Sequence, residues 1–280
     1  MAAVVGSPRT RRLEAALVYL VLTVLTLAFL FPLVWVLGLS LKTRLQVLAT
    51  PPLYVWWPTL ENYADVLTRA DFGHAFLNTM IVSTSAVLLS LCVGAPAAYA
   101  FARLRFPGRD ALFWVYIATL MVPGSVTVVP LYLMMAQLGL RNTFWALVLP
   151  FVFGSPYAIF LLRQHFRAIP DDLINAAYLD GANTLDVIVH VVLPSSRPIL
   201  VTLMLITAVS QWHHFMWPLV ITSGAKWQVL TVATAALQSR YNAQWTLVMA
   251  ATTVAIVPLL VLFVIFQRHI VRSIVVTGLK

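Results

Sequence analysis

Cysteine and charged residues are both scarce in this sequence of 280 residues. A single cysteine, Cys92, excludes an intrachain disulfide and a zinc site built from several thiolates. Only 10% of the residues are charged, whereas roughly a quarter are charged in an ordinary soluble domain. Because 61% are hydrophobic, the chain has more apolar surface than a soluble fold of this length can bury. The composition therefore predicts a membrane protein.

Motifs for nucleotide binding and for catalysis are also missing. The sequence has no G-x-x-x-x-G-K-[ST] phosphate loop, which predicts that the chain does not hydrolyse ATP by itself. No nucleophile with its base, pair of acids or metal-ligand cluster stands out in the apolar segments. The net charge of +9 comes from basic residues scattered between these segments, which argues against nucleic acid as a partner. We therefore predict no enzyme activity, no catalytic or metal-binding residues and no cofactor bound by this chain.

Six apolar segments are each long enough to cross a bilayer core of about 30 Å as a helix. Their predicted bounds are about 15–40, 76–102, 111–136, 143–163, 198–222 and 245–267. We predict an all-α polytopic membrane protein, with residues 1–280 forming a single domain of six transmembrane helices. The first segment follows three arginines, as in a secretory signal, but it lacks a clear small-x-small cleavage site. It is therefore predicted to be retained as a span.

The basic residues predict the orientation of the chain in the membrane. With a cytoplasmic N-terminus, twelve of the 18 Lys and Arg residues lie inside and six lie outside. The positive-inside rule therefore places both termini in the cytoplasm. Two connections are longer than an ordinary turn, the outer segment from Lys42 to His74 and an inner loop at about 164–196. Their length predicts that each has its own structure and task.

The inner loop contains start and stop signals for two short helices. Pro170, followed by two aspartates, is typical of a helix N-terminus, where a fixed φ and negative charge are favourable. Gly181 can end that helix in the left-handed conformation, and Asn183 with Asp186 predicts a capping box for the next one. The polar side of the first helix is acidic, unlike the basic side of a helix resting on lipid headgroups. The pattern predicts a helix, turn and helix that seats in a partner protein.

This loop resembles the signature of permease subunits of binding-protein-dependent ABC importers. That signature reads Glu-Ala-Ala, three residues, Gly, nine residues, Ile, one residue and Leu-Pro. The matching positions are Ala176, Ala177, Gly181, Leu193 and Pro194. Asn175 stands where the family has Glu, and Val191 stands where it has Ile.

Other segments resemble the carbohydrate-uptake branch of that family, the maltose and glycerol-phosphate type. They are residues 98–109, 121–124, 130–133 and 139–146. The stretch from Trp212 to Leu219 is similar to the Trp-Asn-Asp/Glu-Phe-Leu-Trp-Pro of that branch, with two histidines in place of the polar pair. The likeness covers roughly residues 13–280.

The resemblance implies a transmembrane permease subunit of an ATP-driven importer for a sugar or sugar-like solute, located in the bacterial cytoplasmic (inner) membrane. The implied partners are a second homologous permease subunit, two ATPase subunits that carry ATP and Mg, an extracytoplasmic solute-binding protein and the lipid bilayer. The inner loop would act as a coupling helix between spans 4 and 5. The implied coupling residues are Asp172, Asn175, Ala176, Ala177, Asp180, Gly181, Leu193 and Pro194.

Four residues of the predicted fifth span are candidates for the solute pathway. His213 and His214 are uncommon inside a span, and solute contact, hydrogen bonding between helices and metal binding are all open for them. Adjacent positions point about 100° apart on a helix, so both cannot face one cavity centre. Trp212 and Trp217 could stack on a sugar ring, or pack and anchor at the interface. The alternative function is a self-contained secondary transporter or channel, although the nearly charge-free spans argue against ion coupling.

Overall fold

The computed structural model describes residues 8–49, 55, 57–69, 71–153, 155–240 and 244–277. Over these residues all regular structure is helical, in agreement with the predicted all-α class. The helices are α1 (Pro8–Ser40), α2 (Arg44–Ala49), α3 (Glu61–Arg69), α4 (Phe72–Arg103), α5 (Arg109–Ala118), α6 (Gly124–Gln137), α7 (Phe144–Val152), α8 (Pro156–Ala168), α9 (Asp171–Leu179), α10 (Thr184–Val187), α11 (Leu193–Ser195), α12 (Arg197–Trp212), α13 (Met216–Ile221), α14 (Leu230–Arg240) and α15 (Trp245–Thr277). A 3₁₀ turn at Thr119–Met121 follows α5, and a π-helical turn at Ile188–Val192 joins α10 to α11.

Four helical stretches are long and apolar enough to cross a membrane by themselves. They are Arg12–Ser40, Phe72–Arg103, Phe144–Ala168 and Trp245–Gln267. Two bent pairs raise the number to six if each pair is one span. The pairs are Arg109–Met121 with Gly124–Gln137, bent by 104°, and Thr184–Ser195 with Arg197–Trp212, bent by 83°. The predicted number of six is therefore the upper end of this range.

Three of the predicted segments are not continuous helices. Within 111–136 the chain breaks before α6, because Pro123 has no N–H and holds Val122 in extended backbone (φ −82°, ψ 117°). The segment 143–163 is divided between α7 and α8. Within 198–222, α12 ends at Trp212 and α13 begins at Met216. The placement of the two candidate histidines on a helix was therefore wrong, since both lie in the turn between α12 and α13.

The chain divides into two compact units, residues 1–70 with 236–254 and residues 71–235 with 255–280. In the first unit the hydroxyl oxygens of Ser40 and Tyr63 lie 2.6 Å apart. The side-chain amide of Asn62 donates to the carbonyl oxygens of Ser40 and Lys42, at 2.8 Å each. These bonds fasten α3 to the end of α1.

The core of the second unit is built around α4. Small residues on its second half, including Ala95 and Ala98, let α8 approach closely, and this cluster extends to Ile174 of α9 and Leu203 of α12. The first half of α4 packs in another cluster with α6, α7 and α13, which includes Leu147 and Trp217. Because both clusters share α4, this helix is the centre of the unit.

Two polar residues near the start of α4 fasten the segment that leads into α14. The side-chain amide of Asn78 donates to the carbonyl oxygens of Lys226 and Gln228, at 3.0 Å each. The hydroxyl of Thr79 accepts from the backbone N–H of Leu230 at 2.7 Å. Both side chains are buried, and buried polar groups need such partners.

A tryptophan replaces a hydrogen-bond donor that a proline cannot supply. Pro150 lies inside α7 and leaves the carbonyl of Ala146, four residues earlier, without its helical partner. The indole Nε1 of the buried Trp217 donates to that carbonyl at 2.9 Å. A proline inside a helix is tolerated in an apolar environment when a neighbouring element satisfies the freed carbonyl in this way.

Candidate functional site: an exposed helix, turn and helix, and a polar cavity

The helix, turn and helix predicted in the inner loop is present. α9 begins directly after Pro170, and Gly181 (φ +86°) ends it in the left-handed conformation. The backbone N–H of Ala182 donates to the carbonyl of Ala177 at 3.0 Å, the bond of a Schellman motif. The next helix starts with the predicted capping box, in which Asn183 accepts from the N–H of Asp186 at 3.1 Å and Asp186 accepts from the N–H of Asn183 at 3.1 Å.

α9 has one face toward the protein and one face away from it. Ile174 is its one buried side chain, and Ala177 is half-buried beside the same core cluster. The opposite face carries four exposed residues at positions i, i+3, i+4 and i+7, which lie together on a helix. They are Asp172, Asn175, Ala176 and Leu179. Leu179, 89% exposed, was not among the predicted coupling residues, although its helical spacing from Asp172 was a usable signal.

The remaining predicted coupling residues are not on one surface. Asp180 and Gly181 are exposed at the end of α9. Leu193 is partly buried and packs against the core cluster that contains Ile174, whereas Pro194 is exposed at the start of α11. The outward surface available to a partner therefore consists mainly of α9 and the turn after it.

Arg163 joins the ends of three helices close to α9. Its side chain is 5% exposed, and its Nε donates to the carbonyl of Phe101 at 3.1 Å, at the end of α4. Its Nη2 donates to Asp110 Oδ1 at 3.1 Å, at the start of α5, and its guanidinium lies 3.8 Å from the centre of the Phe113 ring. The sequence predicted only that this residue contributes positive charge to the inner loop.

A cavity of about 420 Å³ lies among α4, α7, α8 and α12 of the second unit. This volume is within the range of roughly 300–1,000 Å³ that is usual for small-molecule sites. No Asp, Glu, Lys or Arg occurs among the described residues that line it. Its polar lining residues are Ser90, Ser155, Tyr157, Thr207, Ser210, Gln211 and His214. The cavity therefore offers uncharged hydrogen-bonding groups within a largely apolar surface, which is provided by Pro150, Phe151, Pro156, Ala158, Leu203 and Ile206.

The structure separates the two candidate histidines. His214 lines the cavity, and its ring meets the Phe151 ring edge-on with centroids 4.9 Å apart. Its Nδ1 is buried without a hydrogen-bond partner in the part of the chain that the structure describes. His213 is exposed and does not line that cavity. The Nδ1 atom itself has almost no accessible surface, so a solute would satisfy it only after a small rearrangement of the cavity wall.

Both candidate tryptophans are buried and use their indole N–H groups inside the fold. Trp212 donates to the carbonyl of Ala255 at 3.0 Å, while Trp217 donates to Ala146 as described above. With His214 they line a second cavity of only about 10 Å³. Their indoles therefore form part of the wall beside His214.

The family profile of the binding-protein-dependent transport system inner membrane component matches residues 90–276. The chain belongs to this family. This permease is 36% identical to the diacetylchitobiose uptake system permease protein NgcG of Streptomyces coelicolor, over 93% of this chain and 87% of NgcG. It is 35% identical to the osmoprotective compounds uptake permease protein GgtD of Synechocystis, over 92% of this chain and 91% of GgtD.

A solved structure shares the fold of the permease. It is a chain in the crystal structure of a bacterial ABC transporter involved in the import of the acidic polysaccharide alginate, with a TM-score of 0.83 and 24% sequence identity. The similarity covers 94% of this chain and 98% of that one. The protein is therefore a multi-pass permease subunit of the inner membrane, and its relatives are transport proteins rather than enzymes.

Proposed function

We propose that this permease moves a sugar or sugar-like solute inward in an importer driven by ATP hydrolysis on separate subunits. It acts with a second homologous permease, two ATPase subunits and an extracytoplasmic solute-binding protein. The diacetylchitobiose uptake of its relative NgcG supports a carbohydrate solute. The chain itself binds no cofactor, and ATP and Mg are held by the ATPases. Its six spans leave both termini and the loop at about 164–196 in the cytoplasm.

The observation that carries this proposal is the outward face of α9. The turn after α9 is fixed by the Schellman bond at the end of α9 and the capping box at the start of α10, yet α9 presents the 89% exposed Leu179 beside the small Ala176. A small residue next to an exposed apolar one lets a short helix enter a groove closely. Asp172 and Asn175 lie on the same face and provide polar contacts at its edge. We assign this face to docking on an ATPase subunit.

The other coupling residues then have distinct roles. Ala177 packs inward and keeps α9 close to the core, while Asp180 and Gly181 form the turn that sets the angle between α9 and α10. Leu193 and Pro194 continue the second helix toward α12. When ATP binding brings the two ATPases together, they displace α9, and the packed turn transfers this displacement to the membrane helices.

The polar cavity provides a path for an uncharged, hydroxyl-rich solute. His214 lines the cavity and carries an unsatisfied nitrogen that a rearrangement of the wall would expose, and Gln211 and Ser210 add further hydrogen-bonding groups. Trp212 and Trp217 form the wall beside His214, and His213 flanks this region on its exposed side. Because the lining lacks Asp, Glu, Lys and Arg, we expect a neutral sugar rather than a charged one.

Co-purification tests the assembly. The permease is co-expressed with the ATPase and partner permease encoded beside it, purified through a tag on this chain, and the amount of bound ATPase is measured. Leu179→Asp puts a charge in the docking face, so we expect bound ATPase to fall at least about tenfold. Leu45→Asp is the matched control, because Leu45 is 80% exposed but lies on the predicted outer side. Absence of ATPase from the wild-type preparation would refute the proposal.

A further inference from the structure

We propose that Arg103, the last residue of α4, is a positioning residue that makes the coupling helix α9 move together with α4. This inference rests on the proposed function, in which α9 meets an ATPase. It concerns the step after docking, namely the route by which a displacement of α9 enters the membrane helices.

The Arg103 side chain joins α4 to the junction between α8 and α9. This side chain is 16% exposed. Nε donates to the carbonyl of Phe166 at 3.0 Å, and Nη2 donates to the same carbonyl at 2.8 Å. Nη2 also donates to the carbonyl of Ile169, and Nη1 pairs with the carboxylate of Asp171 at the start of α9. One side chain thus contacts the end of one helix, the linker and the beginning of the next helix.

The linker has few other means of fixing its direction. Only Ile169 and Pro170 separate α8 from α9, and Pro170 has no N–H to donate. Among the last carbonyls of α8, that of Phe166 accepts only a long bond of 3.4 Å from the backbone N–H of Ile169, so the guanidinium adds the shorter bonds there. The planar guanidinium has five N–H donors in a fixed arrangement, so it can satisfy two carbonyls and a carboxylate simultaneously. A lysine at this position could not reproduce that geometry.

In addition to its contacts with α10 and the π-helical turn, two further observations place α9 beside the same helix. The hydroxyl oxygens of Tyr178 on α9 and Tyr99 on α4 lie 3.4 Å apart, one turn before Arg103. Ile174, the buried side chain of α9, belongs to the cluster that contains Tyr99 and Ala102. Displacement of α9 is therefore transmitted to the last two turns of α4.

α4 connects this junction to the polar cavity. Ser90, which lines the cavity, lies 13 residues before Arg103 on the uninterrupted helix, or about 20 Å at 1.5 Å per residue. The other walls of the cavity, α7, α8 and α12, all pack against α4. A shift of α4 that follows α9 changes the spacing of the groups around the solute. Arg103 is thus the connection between the docking face and the cavity.

The matched control for Arg103 is Arg105. It lies two residues further along the chain, is exposed, and has no hydrogen bond or ion pair in the described part of the structure. Arg103→Gln and Arg105→Gln remove the same charge from the same segment, but only the first removes the contacts to α8 and α9. Asp171→Asn removes only the ion pair, which involves a 77% exposed carboxylate and contributes little alone.

The first measurement is amide hydrogen exchange in Asp171–Leu179, in the purified permease and in the assembled importer. We expect exchange in α9 to be roughly tenfold or more faster in Arg103→Gln, because charge-assisted hydrogen bonds are lost. Arg105→Gln and Asp171→Asn should stay within about twofold of wild type. If Arg103→Gln does not accumulate in the membrane, Arg103→Lys replaces it. This variant retains the charge but not the donor geometry, and its exchange is compared with that of wild type and Arg105→Gln.

The second measurement is the ratio of solute imported to ATP hydrolysed in reconstituted vesicles with the binding protein. We expect this ratio to fall at least about fivefold in Arg103→Gln, with ATPase still bound and active, and to be unchanged in Arg105→Gln. Equal exchange in the two variants would overturn the anchoring role, and a wild-type ratio despite faster exchange would overturn the coupling role. Failure of wild-type permease to bind an ATPase would instead refute the proposed function, while the exchange comparison would still decide the anchoring role.

Discussion

The indole Nε1 of Trp217 and the carbonyl oxygen of Ala146 lie 2.9 Å apart, which joins α13 to α7 at the carbonyl that Pro150 leaves free. Trp217→Phe keeps most of the ring but removes the donor, so a buried carbonyl loses its partner. We expect the free energy of unfolding to fall by about 2 kcal/mol, measured by SDS titration in mixed micelles. Trp145→Phe on α7, next to Ala146, is the control, because Trp145 is 52% exposed. An equal loss in both variants would contradict this account.

The buried guanidinium of Arg163 provides a second test. Arg163→Ala removes donors to Phe101 and Asp110 and the cation above the Phe113 ring, and we expect a loss of about 3 kcal/mol in the free energy of unfolding. Arg167→Ala on the same helix should cost less than about 0.5 kcal/mol, since Arg167 is exposed. The same titration measures both, and a stable Arg163→Ala protein would refute the prediction.

Gly181→Asp should uncouple transport from ATP hydrolysis while the protein remains in the membrane. No described heavy atom lies within 4 Å of a Cβ placed at Gly181, so the effect comes from its backbone, whose φ of +86° disfavours side chains. The strain of about 1–2 kcal/mol is relieved when the turn changes its angle and moves α9. Uptake and ATP hydrolysis are measured together in vesicles.

Gly139→Asp is the control for that substitution, because Gly139 also has a positive φ (+69°) but lies between α6 and α7. We expect it to leave the ratio of solute imported to ATP hydrolysed unchanged. Normal uptake by Gly181→Asp would show that the turn angle is not needed for coupling.

His214→Ala and His213→Ala form a matched pair for the solute pathway. His214→Ala removes a group from the cavity wall, and we expect maximal uptake with saturating binding protein to fall about tenfold, as for the loss of one hydrogen bond to the solute. His213 is exposed outside the cavity, so His213→Ala should stay within about twofold. Unchanged uptake and specificity in both variants would exclude solute contact by either histidine.

The helix, turn and helix of the inner loop could be predicted in detail because its signals are local. Pro170, Gly181 and Asn183 act within four residues of their own positions, and the structure places each at the predicted helix end. The coupling residues of α9 came from the family resemblance and included Ala177, which packs inward; helical spacing from Asp172 would have excluded Ala177 and identified Leu179. The contacts of Arg103 were not predictable, because their partners lie more than 60 residues further along the chain.

The break between α12 and α13 had a signal in the sequence that the predicted span at 198–222 did not use. Pro218 cannot donate to the carbonyl of His214, four residues earlier, so an uninterrupted helix would leave that carbonyl free. In the structure the hydroxyl of Thr231 donates to it at 2.9 Å. The proline indicates that an external donor is needed, but its identity depends on tertiary packing. The same applies to the cavity, whose walls come from three separate parts of the chain, namely α4, the pair α7 and α8, and α12.

The bonds of Asn78 and Thr79 have a consequence for biogenesis. Their partners Lys226, Gln228 and Leu230 are 148 to 151 residues further along the chain. At about 5–20 residues per second, a ribosome takes roughly 8–30 s to synthesise a segment of that length. During this interval the hydroxyl of Thr79 already donates to the carbonyl of Ala75 within α4, but the side-chain amide of Asn78 lacks its final partners, at a cost of several kcal/mol in hydrocarbon. The nascent chain therefore needs water, another helix or an insertion factor beside α4 until the second half of the protein arrives.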